Sequence, residues 1–468
     1  MASWFGMRVV IIGAARQGLA LARYLAEQRA VVTLNDKRSA DQLEAERASL
    51  AGLEGQIRWV CGEHPVSLAY DADLVCPSGG VPLTLPLVAE ARRRGVPLSN
   101  DSQIFLEACP CRTIGITGSA GKTTTTSLVG RIAAMSMTSP LSKRGRAWVG
   151  GNIGSPLISV LDQIGPDDWA VMELSSFQLE IMTRSVNVAA VLNITPNHLD
   201  RHGTMEAYAA AKARLVDFQK PQDVAVLGRD DPGAWALKAR LVGRLNSYGF
   251  ERPTAGLAGT YLEQKDEPTL MWSDGKNATA LMPRACVHLR GDHNLQNVLA
   301  ACAVSAAAGM PPRAMRAAVE SFYGVPHRLE LVRTWGGAAW YNDSIASAPE
   351  RVMAGVRSFS EPIILLAGGR DKNLPWDDFA GLVRQRVDHL IVFGEAADLI
   401  QRAVGAVQPG QRLSTITRCG GLQEAVRAAA ELVEPGDVVL LSPGGTSFDE
   451  FRDFEARGEA FKQWVNEL

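Results

Sequence analysis

The chain has 468 residues, a length that predicts about three domains. Hydrophobic residues make up 46% and charged residues 21% of it, which excludes disordered and collagen-like proteins. Lys plus Arg total 48 and Asp plus Glu total 50, so the net charge of −2 excludes the broadly basic composition of nucleic-acid-binding proteins.

The first hundred residues predict a parallel sheet that starts with a βαβ unit. A β-branched run over 8–13 ends in glycine, a helical pattern follows over 17–30, and a second strand over 30–36 ends in an acid. The later elements of this region are predicted as a helix over 40–54, a strand over 73–79 and a helix over 87–95.

The rest of the chain repeats this alternation of apolar strands and helices. Further strands are predicted over 169–175, 188–194, 223–228, 362–369, 389–394 and 436–443, and a long helix over 293–309. Because apolar strands are followed by helices throughout, we expect an α/β protein whose mainly parallel sheets are covered on both faces. The expected domains are 1–108, 109–324 and 325–468.

A glycine-containing turn, Gly13–Gly18 (GAARQG), joins the first strand to its helix, and Asp36 ends the second strand. The turn resembles a dinucleotide-binding fingerprint, but Ala15 stands where a second glycine would let a pyrophosphate approach the backbone. The N-terminus of the helix could still hold the polar groups of a nucleotide. A plain βα turn with a solvated Asp36 fits the segment equally well.

A phosphate-binding loop is the strongest chemical signal in the sequence. The segment TGSAGKTT (117–124) lies between a predicted strand and a predicted helix. Its glycines let backbone N–H groups turn toward phosphate oxygens, while Lys122 supplies a positive charge and the Thr123 hydroxyl suits Mg²⁺. The loop therefore predicts binding of a nucleoside triphosphate.

Three polar residues of the middle third are candidates for the site, two at strand ends and one in a helix. Glu173 closes an apolar strand, where a carboxylate can hold Mg²⁺. His198 follows another strand end, although a single histidine is more often a structural hydrogen-bonding group. Lys212 lies in an Ala-rich helix, where residue chemistry alone predicts a solvent-facing lysine.

Taken together, these segments resemble the Mur ligase family. The motifs occur in the family's order and span nearly the whole chain: TGSAGKTT, GGNIG (150–154), ELSSFQLE (173–180), LNITPNHLDRH (192–202), YAAAKARL (208–215), GDHNLQNVLAA (291–301), GVPHRLE (324–330), YNDS (341–344), GGRDKN (368–373) and LLSPGGTSFDEF (440–451). ELSSFQLE and GVPHR are specific to the glutamate-adding type within the family.

The resemblance implies a role for each domain: a Rossmann-like N-terminal domain for UDP, a central phosphate-loop ATPase-like domain for ATP, and a Rossmann-like C-terminal domain for the incoming amino acid. The implied UDP-sugar residues are Arg16, Gln17, Asp36, Gly80, Asn152, Ser175, Gln178 and His198. The implied ATP residues are Gly118, Ser119, Ala120, Gly121, Lys122, Thr123, Thr124, Asn294, Asn297, Arg328 and Asp343. The implied amino-acid residues are Ser347, Lys372, Ser447, Phe448 and Phe454.

The resemblance also implies the catalytic residues and the metal ions. The catalytic set is Lys122, Glu173, His198 and Lys212. Two Mg²⁺ ions, for which Mn²⁺ is a substitute, would be held by Thr123, Glu173, His198 and Lys212. In this scheme Lys212 is carbamylated, which would turn its cation into an oxygen ligand for the metal.

The implied enzyme is an ADP-forming carboxylate–amine ligase of peptidoglycan precursor synthesis. ATP would phosphorylate the L-alanyl carboxylate of UDP-N-acetylmuramoyl-L-alanine, and the amine of glutamate would then attack the acyl phosphate. We expect L-glutamate, because the chain departs from the family around the amino-acid pocket, and D-glutamate is the alternative. The departures are Ile345, Ser347 and Ala348 in the family's usual NDSKATN, and Gly444, Gly445 and Thr446 in its usual SPACAS.

Three other interpretations explain less of the sequence. A related ligase such as folylpolyglutamate synthase would lack the 1–108 domain and ELSSFQLE. An NAD-dependent oxidoreductase that uses Gly13–Gly18 leaves TGSAGKTT unexplained, and a non-catalytic ATP-binding regulator has no need of the catalytic set.

The seven cysteines are odd in number and scattered, and we expect them to be reduced. No signal peptide is visible, and no apolar run reaches the 18 or so residues of a membrane span. We therefore expect a cytoplasmic monomer that acts on small molecules, without nucleic-acid or membrane partners.

Overall fold

Three sheets organise the computed structural model, which describes residues 4–53, 55–137 and 145–468. Contacts divide the chain into two compact units, Met1–His288 with Asp292–Phe322, and Leu289–Gly291 with Tyr323–Leu468. The first unit holds two of the sheets and the second unit holds the third. The predicted α/β class is confirmed, and most of the strand pairs are parallel.

The N-terminal sheet has four parallel strands in the order β3-β2-β1-β4. Its strands are β1 (Arg8–Ile12), β2 (Val31–Asp36), β3 (Ile57–Cys61) and β4 (Leu74–Pro77), and its helices are α1 (Arg16–Glu27), α2 (Glu44–Ser49), α3 (Pro86–Arg93) and α4 (Asp101–Ala108). The helix predicted over 40–54 is shorter, since the 3-10 turn Asp41–Leu43 precedes α2. The edge strand β3 was not predicted, because most of it is only half-buried and lacks a continuous apolar run.

The central sheet has nine strands in the order β13-β12-β11-β10-β9-β8-β5-β7-β6. The strands are β5 (Arg112–Thr117), β6 (Ala147–Gly151), β7 (Trp169–Glu173), β8 (Val188–Val191), β9 (Val224–Gly228), β10 (Arg244–Tyr248), β11 (Ala258–Glu263), β12 (Thr269–Ser273) and β13 (Ala278–Pro283). The helices are α5 (Lys122–Met137), α6 (Ser176–Leu179), α7 (Leu199–His202), α8 (Met205–Asp217), α9 (Pro232–Ala236), α10 (Asp292–Ala307) and α11 (Pro312–Glu320). Strands β12 and β13 are an antiparallel extension that the sequence did not predict.

The C-terminal sheet has six strands in the order β14-β15-β19-β16-β17-β18, and only the edge strand β14 is antiparallel. The strands are β14 (Glu330–Trp335), β15 (Ala338–Asn342), β16 (Ile363–Gly368), β17 (His389–Phe393), β18 (Thr415–Arg418) and β19 (Val438–Gly444). The helices are α12 (Pro349–Val356), α13 (Asp377–Arg386), α14 (Ala397–Val404), α15 (Leu422–Leu432) and α16 (Phe454–Glu467).

Parallel pairing of the central strands brings the carboxyl ends of neighbouring strands to one edge of each sheet. Every residue of β7, β8, β16 and β19 is buried. In the central sheet β8, β5, β7 and β6 are successive neighbours, and in the C-terminal sheet β15, β19 and β16 are. Ligand sites of open α/β sheets lie at such edges. None of the helices in the described ranges is long and apolar enough to span a membrane.

Candidate active site

The predicted phosphate loop joins the end of β5 to the start of α5. Lys122 is the first residue of α5, and its Nζ donates to the carbonyl of Gly118 at 2.9 Å. Gly121 has φ +80°, and a Cβ there would lie 2.1 Å from Oδ1 of Asn297 on α10. The side-chain Nδ2 of Asn297 donates to Oδ1 of Asn294 at 3.2 Å. The fold therefore places Asn294 and Asn297, both predicted to bind ATP, beside the loop, and the positive φ and the contact with Asn297 favour glycine at position 121.

Residues 193–195, which follow β8, fix the position of the phosphate loop by hydrogen bonds. The amide of Ala120 donates to Oδ1 of Asn193 at 2.8 Å, and Nδ2 of Asn193 donates to the Ala120 carbonyl at 3.2 Å. Ser119 Oγ donates to the carbonyl of Thr195 and accepts from its N–H, both at 2.9 Å, and lies 3.0 Å from the Tyr208 hydroxyl. Asn193 and Ser119 thus fix the loop backbone at two adjacent residues.

Glu173 ends β7 beside this loop and has one carboxylate oxygen without a protein partner. The side chain is 2% exposed, and its Oε1 accepts from Nδ2 of Asn152 at 2.7 Å. Oε2 is buried and has no hydrogen-bond partner among the described residues. Because an unsatisfied buried carboxylate oxygen is costly, and oxygen is the ligand that Mg²⁺ prefers, Glu173 fits a metal site.

Lys212 of α8 is 1% exposed and points into the same loop. Its Nζ donates to the Gly118 carbonyl at 2.9 Å and to Oγ1 of Thr117 at 3.4 Å. Burial, with a further contribution from the charge of Lys122, lowers the pKa of Lys212 to about 6. The amine is therefore mostly neutral and nucleophilic at neutral pH, and the solvent-facing position that residue chemistry alone predicted is wrong.

His198 has φ +53° and precedes α7. Its ring is 5.0 Å from the ring of Phe177, which stacks on His202 at 5.3 Å. The Arg201 guanidinium covers Phe177 at 4.6 Å and donates to the carbonyl of Gly80 at 3.2 Å. The structure thus links the loop of His198 to the end of β4, where Gly80 was predicted to contact UDP.

The predicted UDP-sugar residues Ser175 and Gln178 form the N-terminal cap of α6. The Ser175 hydroxyl accepts from the backbone N–H of Gln178 at 3.2 Å, while the side-chain Oε1 of Gln178 accepts from the backbone N–H of Ser175 at 3.0 Å. The side-chain Nε2 of Gln178 also donates to the hydroxyl of Ser102 at 2.9 Å. Both side chains are therefore held by protein hydrogen bonds, and their contact with a sugar stays a prediction.

The predicted UDP-binding turn is closed by Asp36 at the end of β2. The Asp36 carboxylate accepts from the amide of Ala14 at 2.7 Å and from Nε of Arg38 at 3.2 Å. Although burial opposes the shift, hydrogen bonds from Arg38 and Ala14 hold the pKa of Asp36 below its ordinary value. Arg16 is exposed, and the Gln17 amide donates to the last carbonyl of β6 at 3.5 Å.

In the second unit, predicted site residues gather where β15, β16 and β19 end. Asp343 accepts from the Ser442 hydroxyl at 2.8 Å, and burial raises the pKa of Asp343 to about 7 despite this bond and the charge of Arg328. Lys372 Nζ donates to the Ser347 hydroxyl at 3.1 Å. Two residues predicted to bind the amino acid are thus in direct contact.

A buried arginine connects the loop that follows β15 with the loop that follows β19. Arg457 is 1% exposed and donates to Oγ of Ser344 at 3.0 Å, to the Ser344 carbonyl at 2.9 Å and to the Gly445 carbonyl at 3.2 Å. Burial lowers the pKa of Arg457 to about 10, so the guanidinium stays protonated at neutral pH.

The other predicted amino-acid residues differ in exposure. Ser447 is buried, whereas Phe448 is 60% exposed. Phe454 begins α16, and its ring meets His327 edge-on at 6.1 Å.

The two glycines that depart from the family's pattern have packing reasons. Gly444 has φ +76°, and a Cβ there would lie 2.7 Å from Cη2 of Trp376. A Cβ on Gly445 would lie 2.6 Å from the carbonyl oxygen of Gly368. The Trp376 side chain at Gly444 and the Gly368 backbone at Gly445 therefore favour glycine at both positions.

Sequence reasoning missed several polar residues of the site. Asn193 lies within the strand predicted over 188–194, but the observed strand β8 ends at Val191, so Asn193 belongs to the segment that follows it. Arg38 lies two residues beyond Asp36, which ends a predicted strand, and that position could have identified it. Arg457 has no such signal, because its role depends on the distant Ser344.

Family profiles match three parts of the chain. The Mur ligase MurD-like N-terminal domain matches residues 7–100, the Mur ligase middle domain 116–305, and the Mur ligase glutamate ligase domain 327–445.

Similar proteins match along the whole chain. Proteins of Symbiobacterium thermophilum and Anaeromyxobacter dehalogenans, each named UDP-N-acetylmuramoylalanine–D-glutamate ligase, are both 40% identical, over 98% and 99% of this chain and 98% of their own lengths. Among solved structures, UDP-N-acetylmuramate-alanine ligase MurC of Thermotoga maritima is 19% identical with a TM-score of 0.59, over 98% of this chain and 99% of that one. MurF of Acinetobacter baumannii is 16% identical with a TM-score of 0.58, over 97% of this chain and 93% of that one, and these two structures support the fold alone.

Proposed function

Because this chain belongs to the Mur ligase family, we propose that it is an ATP-dependent ligase that joins glutamate to UDP-N-acetylmuramoyl-L-alanine. The observation that carries the proposal is the phosphate loop with two buried ionisable side chains, Glu173 and Lys212, beside it. The names of the 40% identical relatives support glutamate as the amino acid. A ligase also replaces the oxidoreductase interpretation of Gly13–Gly18.

We assign ATP to the loop Gly118–Thr124. Its backbone N–H groups and the start of α5 would bind the phosphates, and Lys122 would exchange its bond to the Gly118 carbonyl for a phosphate oxygen. Thr123 and Glu173 would hold one Mg²⁺ ion, and His198 with carbamylated Lys212 a second. Mg²⁺ supplies charge neutralisation to the phosphates when it is bound.

The reaction needs two displacements. An oxygen of the L-alanyl carboxylate attacks the γ-phosphorus, the bond to the β-γ bridging oxygen breaks, and ADP leaves. The glutamate amine then attacks the acyl carbon, loses a proton, and phosphate leaves with the electron pair of the broken C–O bond. Lys122 would stabilise negative charge that develops on the phosphoryl oxygens.

Each substrate is assigned its own residues. We propose that UDP binds the turn closed by Asp36, and that Ser347 and Lys372 bind a carboxylate of glutamate. We further propose that the enzyme acts as a monomer in the cytoplasm, where ATP and nucleotide-linked precursors are present.

D-Glutamate is the proposed enantiomer, because the relatives are named for it and because packing explains the glycines at 444 and 445. L-Glutamate is the second candidate. It is favoured by Ile345, which stands at a pocket loop where the resemblance implies a lysine, and so removes a cation from that loop.

Phosphate release in the presence of UDP-N-acetylmuramoyl-L-alanine, ATP and Mg²⁺ tests the proposal, with D-glutamate and L-glutamate supplied separately. Release that depends on D-glutamate supports the first candidate, and release with L-glutamate alone supports the second. No release with either enantiomer refutes the ligase.

The carbamate has its own test. Lys212→Ala should nearly abolish turnover, and a small carboxylate such as acetate should restore part of it by replacing the lost oxygen ligand. The matched control is Lys238→Ala, a lysine on the short 3-10 helix Leu237–Arg240. An unimpaired Lys212→Ala variant removes the role of Lys212.

A further inference from the structure

The second unit carries two cations beside the loop that follows β15. Lys372 donates to Ser347 Oγ at 3.1 Å. Arg351, an exposed residue in the first turn of α12, donates through Nη1 to the carbonyl of Ile345 at 3.3 Å. The two cations therefore approach one short loop segment from different elements, two residues apart in the sequence at their points of contact.

No acidic side chain of the described residues lies within ion-pair distance of Arg351 or Lys372. The pKa of Lys372 is lowered by partial burial and then by the charges of Arg351 and Arg457, so both guanidinium groups lie close enough to act on the Lys372 ammonium. Acidic groups also act on two of these cations, Asp343 on Arg351, and Asp449 with Glu450 on Arg457. Lys372 and Arg351 nevertheless approach the same loop, and like charges around one loop raise the local positive potential, which favours an anionic ligand.

The two cations are held differently. Lys372 lies in a loop anchored by Asp371, whose carboxylate accepts from the amide of Asn373 at 2.8 Å and from Nε1 of Trp376 at 3.1 Å. This preorganised lysine suits the carboxylate next to the reacting amine, whose position must be fixed closely. Both side chains are exposed, but Arg351 lies on α12 and reaches the loop at Ile345, two residues before Ser347, which suits a second, more distant carboxylate.

We propose that Arg351 binds the side-chain carboxylate of the incoming amino acid, while Lys372 and Ser347 bind its α-carboxylate. Arg351 is then a specificity-determining residue that selects an acidic amino acid over its amide. The guanidinium and a carboxylate form charge-assisted, often bidentate, hydrogen bonds that a neutral amide does not equal. This assignment rests on the proposed glutamate ligase activity.

Steady-state kinetics of the full chain test the assignment. Arg351→Met keeps the length of the side chain but removes its charge. We expect it to raise the KM for glutamate about 10- to 100-fold, to leave the KM for ATP and kcat near wild type, and to reduce the preference for glutamate over glutamine. Arg351→Lys should recover part of the loss. The control is Arg357→Met, an exposed arginine at the other end of α12.

The outcomes separate this inference from the proposed function. A wild-type enzyme that releases no phosphate with glutamate overturns both. An active wild type, with an Arg351→Met variant whose KM for glutamate and preference over glutamine match those of Arg357→Met, overturns the role of Arg351 alone. A large rise in the KM for ATP would also contradict it, because the residue would then act on the nucleotide.

Discussion

Gly444→Ala should destabilise the C-terminal sheet because the added methyl group meets a tryptophan that cannot move away. Trp376 is 4% exposed, and its Nε1 is held by Oδ1 of Asp371 at 3.1 Å. Positive φ at an alanine costs about 1–2 kcal/mol, and overpacking of a well-filled core costs about 1–3 kcal/mol. The variant should therefore lower the local free energy of unfolding by about 2–5 kcal/mol.

Gly436→Ala is the matched control for the backbone contribution. Its φ is +99°, but a Cβ there would have no atom within 4 Å, so it should cost only the 1–2 kcal/mol of backbone strain. Hydrogen exchange of the amides of β16 and β19 in the full chain measures the local free energy of opening for each variant.

Trp376→Phe supplies the second half of a double-mutant cycle. The smaller ring removes the atoms that the new methyl group would meet, so its cost should be smaller in the Gly444→Ala background than alone, with a coupling of about 0.5–3 kcal/mol. Equal costs of the two glycine variants, or additive costs of Gly444→Ala and Trp376→Phe, would refute the steric explanation.

Three further outcomes are expected. Burial raises the pKa of Asp101 from 3.8 to about 6, so its ionisation destabilises the folded state as pH rises through that range. Asp101→Asn should therefore raise the free energy of unfolding by up to about 3 kcal/mol at pH 8 but hardly at pH 4. Chemical denaturation at both pH values checks this, with Asp377→Asn at an exposed position as the control. Asn152→Ala should raise the Mg²⁺ concentration for half-maximal activity about tenfold, because Glu173 loses the donor that orients it; an unchanged Mg²⁺ titration contradicts this. Asn193→Ala should raise the KM for ATP about tenfold without changing that for the UDP substrate, and equal changes in both would count against a role in the phosphate loop.

The parts of the fold that could be predicted from the sequence are those buried on both faces. β8 and β16 are continuous apolar runs, and β7 and β19 are apolar up to Glu173 and Ser442, because these strands lie inside their sheets. Strands β11 and β14 and the antiparallel extension β12–β13 were missed, since their partly exposed residues mix polar and apolar types without a strong pattern.

The site could be predicted where the chemistry lies in the residue type itself. A glycine-rich loop with Lys122, or a carboxylate such as Glu173 at a strand end, is recognisable without coordinates. The pair formed by Lys212 and Gly118 could not be found from residue types, because only the packing of α8 on the central sheet shows that the amine is buried. Asn193 and Arg457 act through partners that are distant in sequence, and their amide and guanidinium groups look like ordinary polar positions.

The buried charge of Arg457 has a consequence for how the pocket responds to ionic strength. Its guanidinium is bonded to carbonyls and a hydroxyl, and no carboxylate in the described part of the chain forms an ion pair with it. Dissolved ions screen exposed charges over about 8–10 Å but reach a buried group poorly. High salt should therefore weaken the contributions of the exposed Arg351 and Lys372 more than the positive potential of the buried Arg457. If that potential reaches the pocket, the affinity for an anionic amino acid should level off rather than vanish as salt is added.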